Sequence, residues 1–283
     1  MKLLFKLFQK KDKVQKRKAN TITKKKNLSS KTNNEKVAVR KGEIGEYKIN
    51  IQLDQLPKEY KHLEDIMIKN NQAKTGYSQI DHVLISPYGI FVIETKNYQG
   101  TVYGGKERKI WSVNGKFNLM NPFQQNYGHI QALKKLMDEE YHPYFISMVS
   151  FTKRCTFKLD DTELRKIASD ELIVYDVELS EFINRKVYMN KRQYKEPLLT
   201  EMDIENVYNE IKSTNITDPS IRRQHVQSLK ESNRKSTQKR SEKNDKCKIC
   251  QKPVTEKVRK YCLSNKKFKG EIYCFEHQKT VGK

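Results

Sequence analysis

Residues 79–97 read QIDHVLISPYGIFVIETKN. Two apolar runs flank a Ser-Pro-Tyr-Gly break, which predicts a hairpin with one strand over residues 80–85 and a second over residues 89–94. Strand alternation turns Asp81 to the same side as Val83 and Ile85, and it turns Glu94 and Lys96 together, opposite Ile93. An aspartate and an acid-x-Lys pair thus meet on neighbouring strands inside otherwise apolar sequence. Two carboxylates there can hold a hard divalent cation through oxygen, and a lysine beside them can orient a water or neutralise charge developing on a phosphate. That combination suits metal-assisted phosphodiester hydrolysis. The plain alternative is an edge strand whose solvated charges discourage edge pairing.

The flanks carry further motifs. Gly42-Glu43-x-Gly45-Glu46 precedes the hairpin; Gly100-x-Val102-x-Gly104, Trp111, and Asn121-Pro122 with Gln124 and Gln125 come after it. In this order the motifs resemble the nuclease-related domain, a bacterial branch of the restriction-endonuclease-like superfamily with its PD-(D/E)xK core. The resemblance spans residues 39–151. It implies an α/β fold with a mixed central sheet flanked by helices. It also implies Asp81 as the metal-binding aspartate, Glu94 as the second carboxylate and Lys96 as the catalytic lysine. Glu46, on the first helix, is similar to the acid that completes the Mg2+ or Mn2+ site, and Gln125 or its neighbour Gln124 resembles the polar residue of the following helix. Ile80 stands where the superfamily name has proline, a substitution its members commonly show. Many members dimerise to cut both strands, so a homodimer is a further implication.

Charge is compatible with this. The 283 residues carry 57 Lys and Arg against 34 Asp and Glu, a formal +23. Such an excess favours a polyanionic partner, DNA or RNA, with an anionic membrane surface as the rival. Basic contacts to phosphate carry no base information, so charge predicts affinity rather than specificity. Residues 1–41 hold 15 Lys or Arg and 2 acids, more than half of the net charge. Residues 1–36 read as a basic disordered tail. Leu3, Leu4, Leu7 and Phe8 beside Lys2, Lys6, Lys10 and Lys11 suit a weak amphipathic anchor, and the run is too short for a signal peptide or a membrane span.

Residues 37–212 read as the nuclease-related domain. A helix over residues 42–56 would place Glu43 and Glu46 on one side, although Ile49, Ile51 and Leu53 also alternate as a strand would. Strands are expected at residues 63–68, 101–103, 109–113, 144–151 and 172–175. Asn121 and Pro122 open a helix running to about residue 139. Gln125 and His129 share one side of it, and His129 reads as a surface or satisfied histidine, with proton shuttling as the alternative. Trp111 and Cys155 read as core residues. Helices are also expected from Ser180 and over residues 203–211. Alternating strands and helices point to an α/β core with mixed strands.

Residues 213–246 are polar and basic, the composition of a flexible linker. Residues 247–283 read as a zinc-binding module: Cys247-x-x-Cys250, Cys262 and Cys274-x-x-His277 offer five ligands for the four positions of tetrahedral Zn2+. The preferred set is Cys247, Cys250, Cys274 and His277, and the alternative exchanges His277 for Cys262. Five cysteines, an odd number, argue against a disulfide framework and for a reducing compartment. The expectation is a cytoplasmic protein, nucleoid-associated or peripheral to the membrane. Its expected activity is that of a metal-dependent DNA endonuclease or nickase. The alternatives are a non-catalytic nucleic-acid-binding protein that uses the nuclease fold and zinc module as a docking platform, and a membrane-surface adaptor.

Overall fold

The computed structural model describes residues 37, 40, 42–242, 246–268 and 270–281. The tail and anchor expected over residues 1–36 lie outside the described residues. The chain divides into two compact units, Met1–Thr217 and Asp218–Lys283.

The expected hairpin sets the register of the first unit. Strand β2 (Tyr77–Ser86) pairs antiparallel with β3 (Gly89–Lys96), Ser86 facing Gly89 and His82 facing Ile93. Strand β1 (Lys61–Lys69) adds antiparallel to β2, while β7 (Phe145–Phe151) and β9 (Glu171–Tyr175) extend the other side in parallel, giving the order β1-β2-β3-β7-β9. The inner strands are covered on both faces, so their sequences run apolar without alternation.

Each face has its own helices. Val83, Ile85, Ile90 and Val92 pack with Ile130 and Leu133 of α2 (Pro122–Lys134) and with Ile204, Val207 and Ile211 of α4 (Glu201–Thr214). On the reverse face Leu84, Phe91, Ile93 and Met148 pack with Ile49 and Leu53 of α1 (residues 42–53) and with Leu179 and Ile183 of α3 (Leu179–Tyr194). This is the expected α/β arrangement of a mixed sheet flanked by helices. Residues 42–53 are helical, which settles the helix-or-strand ambiguity there.

A second sheet, ordered β6-β5-β4-β8, is built from β4 (Gly100–Gly104), β5 (Ile110–Val113), β6 (Phe117–Met120) and β8 (Cys155–Leu159). Of these, β6 and β8 are absent from the sequence reading. Trp111 is fully buried and packs with Val102, Phe123 and Phe151, which joins this sheet to the start of α2 and to β7. A Cβ on Gly104 would lie 2.2 Å from the Trp111 ring, so only glycine lets the indole close over β4. Helix α2 ends at Lys134 rather than near residue 139, and a 3-10 turn over Glu139–Tyr144 containing Pro143 leads into β7.

The second unit begins with α5 (Pro219–Glu242), which occupies most of the stretch read as a flexible linker. Asp218 Oδ1 accepts from the Ser220 N–H at 2.6 Å, Pro219 opens the first turn, and no Gly or Pro interrupts the remainder of the helix. Low hydrophobicity points to a linker, but local helix propensity and a good cap prevail. Helices α6 (Glu256–Ser264) and α7 (Phe275–Gln278) then pack a small core of Cys262, Phe268 and Tyr273 around the cysteine knuckles. No helix among the described residues is long and apolar enough to cross a membrane.

Candidate active site and Cys/His cluster

Register brings the two hairpin acids together. The Thr95 N–H of β3 donates to Asp81 Oδ2 at 2.7 Å, which ties the aspartate to the strand that carries Glu94 and Lys96. Glu94 is 3% exposed. Its Oε1 accepts from Lys96 Nζ and, at 2.8 Å, from Gln125 Nε2. Lys96 Nζ also donates to Gln125 Oε1 at 3.1 Å, closing a ring of three side chains. One turn further along α2, His129 Nε2 stands 3.4 Å from Glu94 Oε2.

Helix α2 is fixed for this role at its start. Asn121 is fully buried; its Oδ1 accepts from the Phe123 N–H at 2.9 Å, and its Nδ2 donates to the Lys106 and Arg108 carbonyls at 3.0 and 2.9 Å. One side chain therefore caps the helix and ties down the loop before β5. Asn126 then donates to the Val92 carbonyl at 2.8 Å and to Ser147 Oγ at 2.9 Å, locking the helix to β3 and β7.

Glu46 arrives from α1. Gly45 beside it is buried, and a Cβ there would lie 3.4 Å from both Thr95 Cγ2 and Asn97 Cβ, so the glycine lets α1 approach the end of β3 closely. Gln52 anchors the same helix by donating to the Asp176 carbonyl at 2.7 Å. Glu46 is itself exposed. Partial burial of its carboxyl raises its pKa, and repulsion from Asp65 and Glu94 adds to this.

The charges are unevenly compensated. Burial, followed by repulsion from Glu94, holds the Asp81 carboxyl well above the usual range, and the Thr95 N–H and Lys96 offset only part of this. Burial also opposes the Glu94 charge, but Lys96 and His129 outweigh it and its pKa is lowered. Lys96 shows the reverse balance: burial disfavours its ammonium, while Glu94 and Asp81 prevail and raise its pKa. Two carboxylates with hard oxygen donors, Asp81 and Glu94, thus share a single ammonium already paired to Glu94, and the charge of a third, Glu46, adds to the repulsion on both. That donor set and its surplus negative charge fit a divalent cation.

Of the five residues named for this site, the hairpin and α2 bring Asp81, Glu94, Lys96 and Gln125 together, whereas Glu46 is exposed on α1 and is linked to the others only by repulsion with Glu94 and Asp81. Gln124 is exposed, so Gln125 is the glutamine that reaches the acids. His82 faces away from Asp81 as strand alternation requires; it is buried, and burial together with His62 pushes its pKa down to about 4. His129 is the residue that sequence reasoning set aside. Its four-residue spacing from Gln125 was the available signal.

In the second unit the ligating atoms of Cys247, Cys250, Cys274 and His277 all lie within 4.8 Å of one another. A tetrahedron with Zn–S bonds of about 2.3 Å has sulfur–sulfur edges of about 3.8 Å. The Cys250 and Cys274 sulfurs are 3.8 Å apart, and His277 Nδ1 is 3.3 Å from both Cys247 Sγ and Cys274 Sγ. Cys247 is fully buried, which opposes ionisation, yet backbone N–H groups of Cys250, Cys274 and Ile249, with His277, bring its thiol down to about 6. At Cys250 the Lys252 N–H favours thiolate, but burial and the neighbouring Cys247 and Cys274 prevail and its pKa is raised. Three thiols this close ionise together only with a cation between them.

Cys262 is not brought to this group. Its sulfur donates to the Tyr273 carbonyl at 3.3 Å and accepts from Gln278 Nε2 at 3.2 Å, inside the module's core. The preferred ligand set is the one that converges, and the alternative containing Cys262 does not.

A model of the nuclease-related domain matches residues 41–152. An uncharacterized protein of Bacillus anthracis is 31% identical over 193 residues, which cover 67% of this chain and 84% of that relative. The chain belongs to the nuclease-related domain family. No solved structure matches it. The matched nuclease-related domain contains every carboxylate of the candidate site together with Lys96, Gln125 and His129. The Cys/His cluster lies outside it.

Proposed function

We propose that this nuclease-related domain is a metal-dependent DNA endonuclease or nickase, and that the C-terminal module holds Zn2+ through Cys247, Cys250, Cys274 and His277. The observation that carries the first reading is the excess of carboxylate over ammonium at the end of β3. Burial first, and repulsion from neighbouring acids second, raises the pKa of Asp81 and Glu46 there, and Lys96 offsets only part of this at Asp81. Asp81 and Glu94 would hold Mg2+ or Mn2+, with Glu46 completing the set. When bound, such an ion polarises a phosphoryl oxygen and lowers the pKa of a coordinated water.

The chain's own residues supply the rest. Lys96, kept cationic by Glu94 and Asp81, stands ready to neutralise charge that develops on the phosphoryl oxygens. Gln125 bonds to both Lys96 and Glu94 and so fixes their spacing. The formal +23 supports a polyanionic substrate. The zinc reading rests on the tetrahedral edge lengths of the cluster and on the amide donors around Cys247. The metal would supply fold stability to a module with so small a core.

The deciding experiment is cleavage of supercoiled plasmid and short duplex DNA with Mg2+, Mn2+ or EDTA, run beside Lys96→Ala. Metal-dependent cleavage that disappears in a folded variant is the expected result. Equal loss of folded protein and activity would remove the catalytic role of Lys96. Tight DNA binding without cleavage in either metal would favour the docking-platform reading instead.

A further inference from the structure

We propose that His129 is a positioning residue of the candidate nuclease site, holding Glu94 in the orientation that a divalent cation requires. The inference rests on the metal-site reading above and adds a residue to it. His129 is 8% exposed, and neither ring nitrogen makes a hydrogen bond. Burying an imidazole with both nitrogens unmatched is costly, so the location calls for a compensating role. The nearest charge supplies one: Nε2 is 3.4 Å from Glu94 Oε2. Lys96 and Gln125 both engage Oε1, which leaves Oε2 to His129.

Helix α2 thus addresses one carboxylate twice, with Gln125 on one oxygen and His129, a turn later, on the other. Asn126 between them bonds to the Val92 carbonyl and to Ser147, so the helix cannot slide along β3 and change which oxygen each residue meets. With both oxygens faced from fixed positions, the plane of the Glu94 carboxylate is set before a ligand arrives. A shortening of a few tenths of an ångström would turn the 3.4 Å approach into a charge-assisted hydrogen bond. Outer contacts of this kind typically change metal affinity by about 10- to 100-fold.

The test is Mn2+ binding by the full-length, zinc-loaded protein, followed by titration calorimetry and independent of DNA cleavage. His129→Phe keeps the ring volume and removes both nitrogens, whereas His129→Gln returns an N–H donor. We expect the Phe variant to bind Mn2+ about 10- to 100-fold more weakly at nearly unchanged melting temperature, and the Gln variant to recover most of that loss. Wild-type affinity in the Phe variant would overturn the proposal. A loss that Gln fails to restore would also overturn it, because the effect would then be one of packing. Should His129→Phe not fold, His129→Ala takes its place in the same comparison. A wild-type protein that binds no Mn2+ would instead reject the metal-site reading, and this proposal with it.

Discussion

Asp81, midway along β2, and Glu94, near the end of β3, are acids on neighbouring strands, yet their surroundings drive them apart. Glu94 has Lys96, Gln125 and His129 around it, while Asp81 has one backbone N–H and a distant share of Lys96. An ionised Asp81 therefore costs folding free energy when no cation is present. Asp81→Asn keeps an acceptor for the Thr95 N–H and removes the charge. It should stabilise the protein without added Mg2+ by about 1 kcal/mol, read by urea unfolding, while abolishing cleavage. A destabilised variant would mean that the carboxylate is better compensated than its partners suggest. Gly104 makes a second residue-scale case. Gly104→Ala forces a methyl group into the space of the Trp111 ring, 2.2 Å from its nearest atom. A loss of about 1–3 kcal/mol in the same assay is expected.

At the scale of elements, caps decide where the functional helices sit. Asn121→Ala removes the cap of α2 and leaves the Lys106 and Arg108 carbonyls without their donor. A cost of about 2 kcal/mol is expected, with weaker cleavage because Gln125 loses its fixed start. Helix α4 carries a reciprocal capping box: Asp203 Oδ2 accepts from the Thr200 N–H at 2.8 Å, and Thr200 Oγ1 accepts from the Asp203 N–H at 3.2 Å. These bonds, the Thr200 side chain first, lower the Asp203 pKa below its ordinary value of 3.8. A group with a depressed folded pKa stabilises the fold above its unfolded pKa and loses that contribution as pH falls through the folded value. The Asp203→Asn variant should therefore show a shallower decline in melting temperature below about pH 4 than the wild type. Parallel curves would show that the box contributes nothing to acid sensitivity.

For the whole molecule, the division between Thr217 and Asp218 predicts two separable stabilities. Chelation of zinc should unfold the module around Cys262, Phe268 and Tyr273 and leave the transition of the first unit unchanged, which calorimetry with and without chelator would show. Cys247→Ala should lose the metal. Cys262→Ala should keep one zinc per chain and lose only packing, because its sulfur bonds to Tyr273 and Gln278 instead of joining the four ligands. A halved or absent zinc content in Cys262→Ala would restore the alternative ligand set.

The residues 79–97 hairpin, the parity that puts Asp81 and Glu94 on the α2 side, and the paired knuckles were legible because each depends on near neighbours in the chain. A strand's period of two and a two-residue gap between ligands are local geometry. So was the Asn121-Pro122 helix start. Gln125 over Gln124, the approach of Glu46 through Gly45, and the exclusion of Cys262 from the metal group required the tertiary structure, since each depends on which surface faces another element. His129 is the sharpest instance. By sequence it is one more histidine on an amphipathic helix, and only the packing of α2 across β3 brings its ring to the free oxygen of Glu94. Helix α5 erred in the opposite direction: its polar composition suggested a linker, while the Asp218 cap and an interior without Gly or Pro favoured a helix. Local rules placed the chemistry on strands and knuckles, and long-range packing chose which side chains complete it.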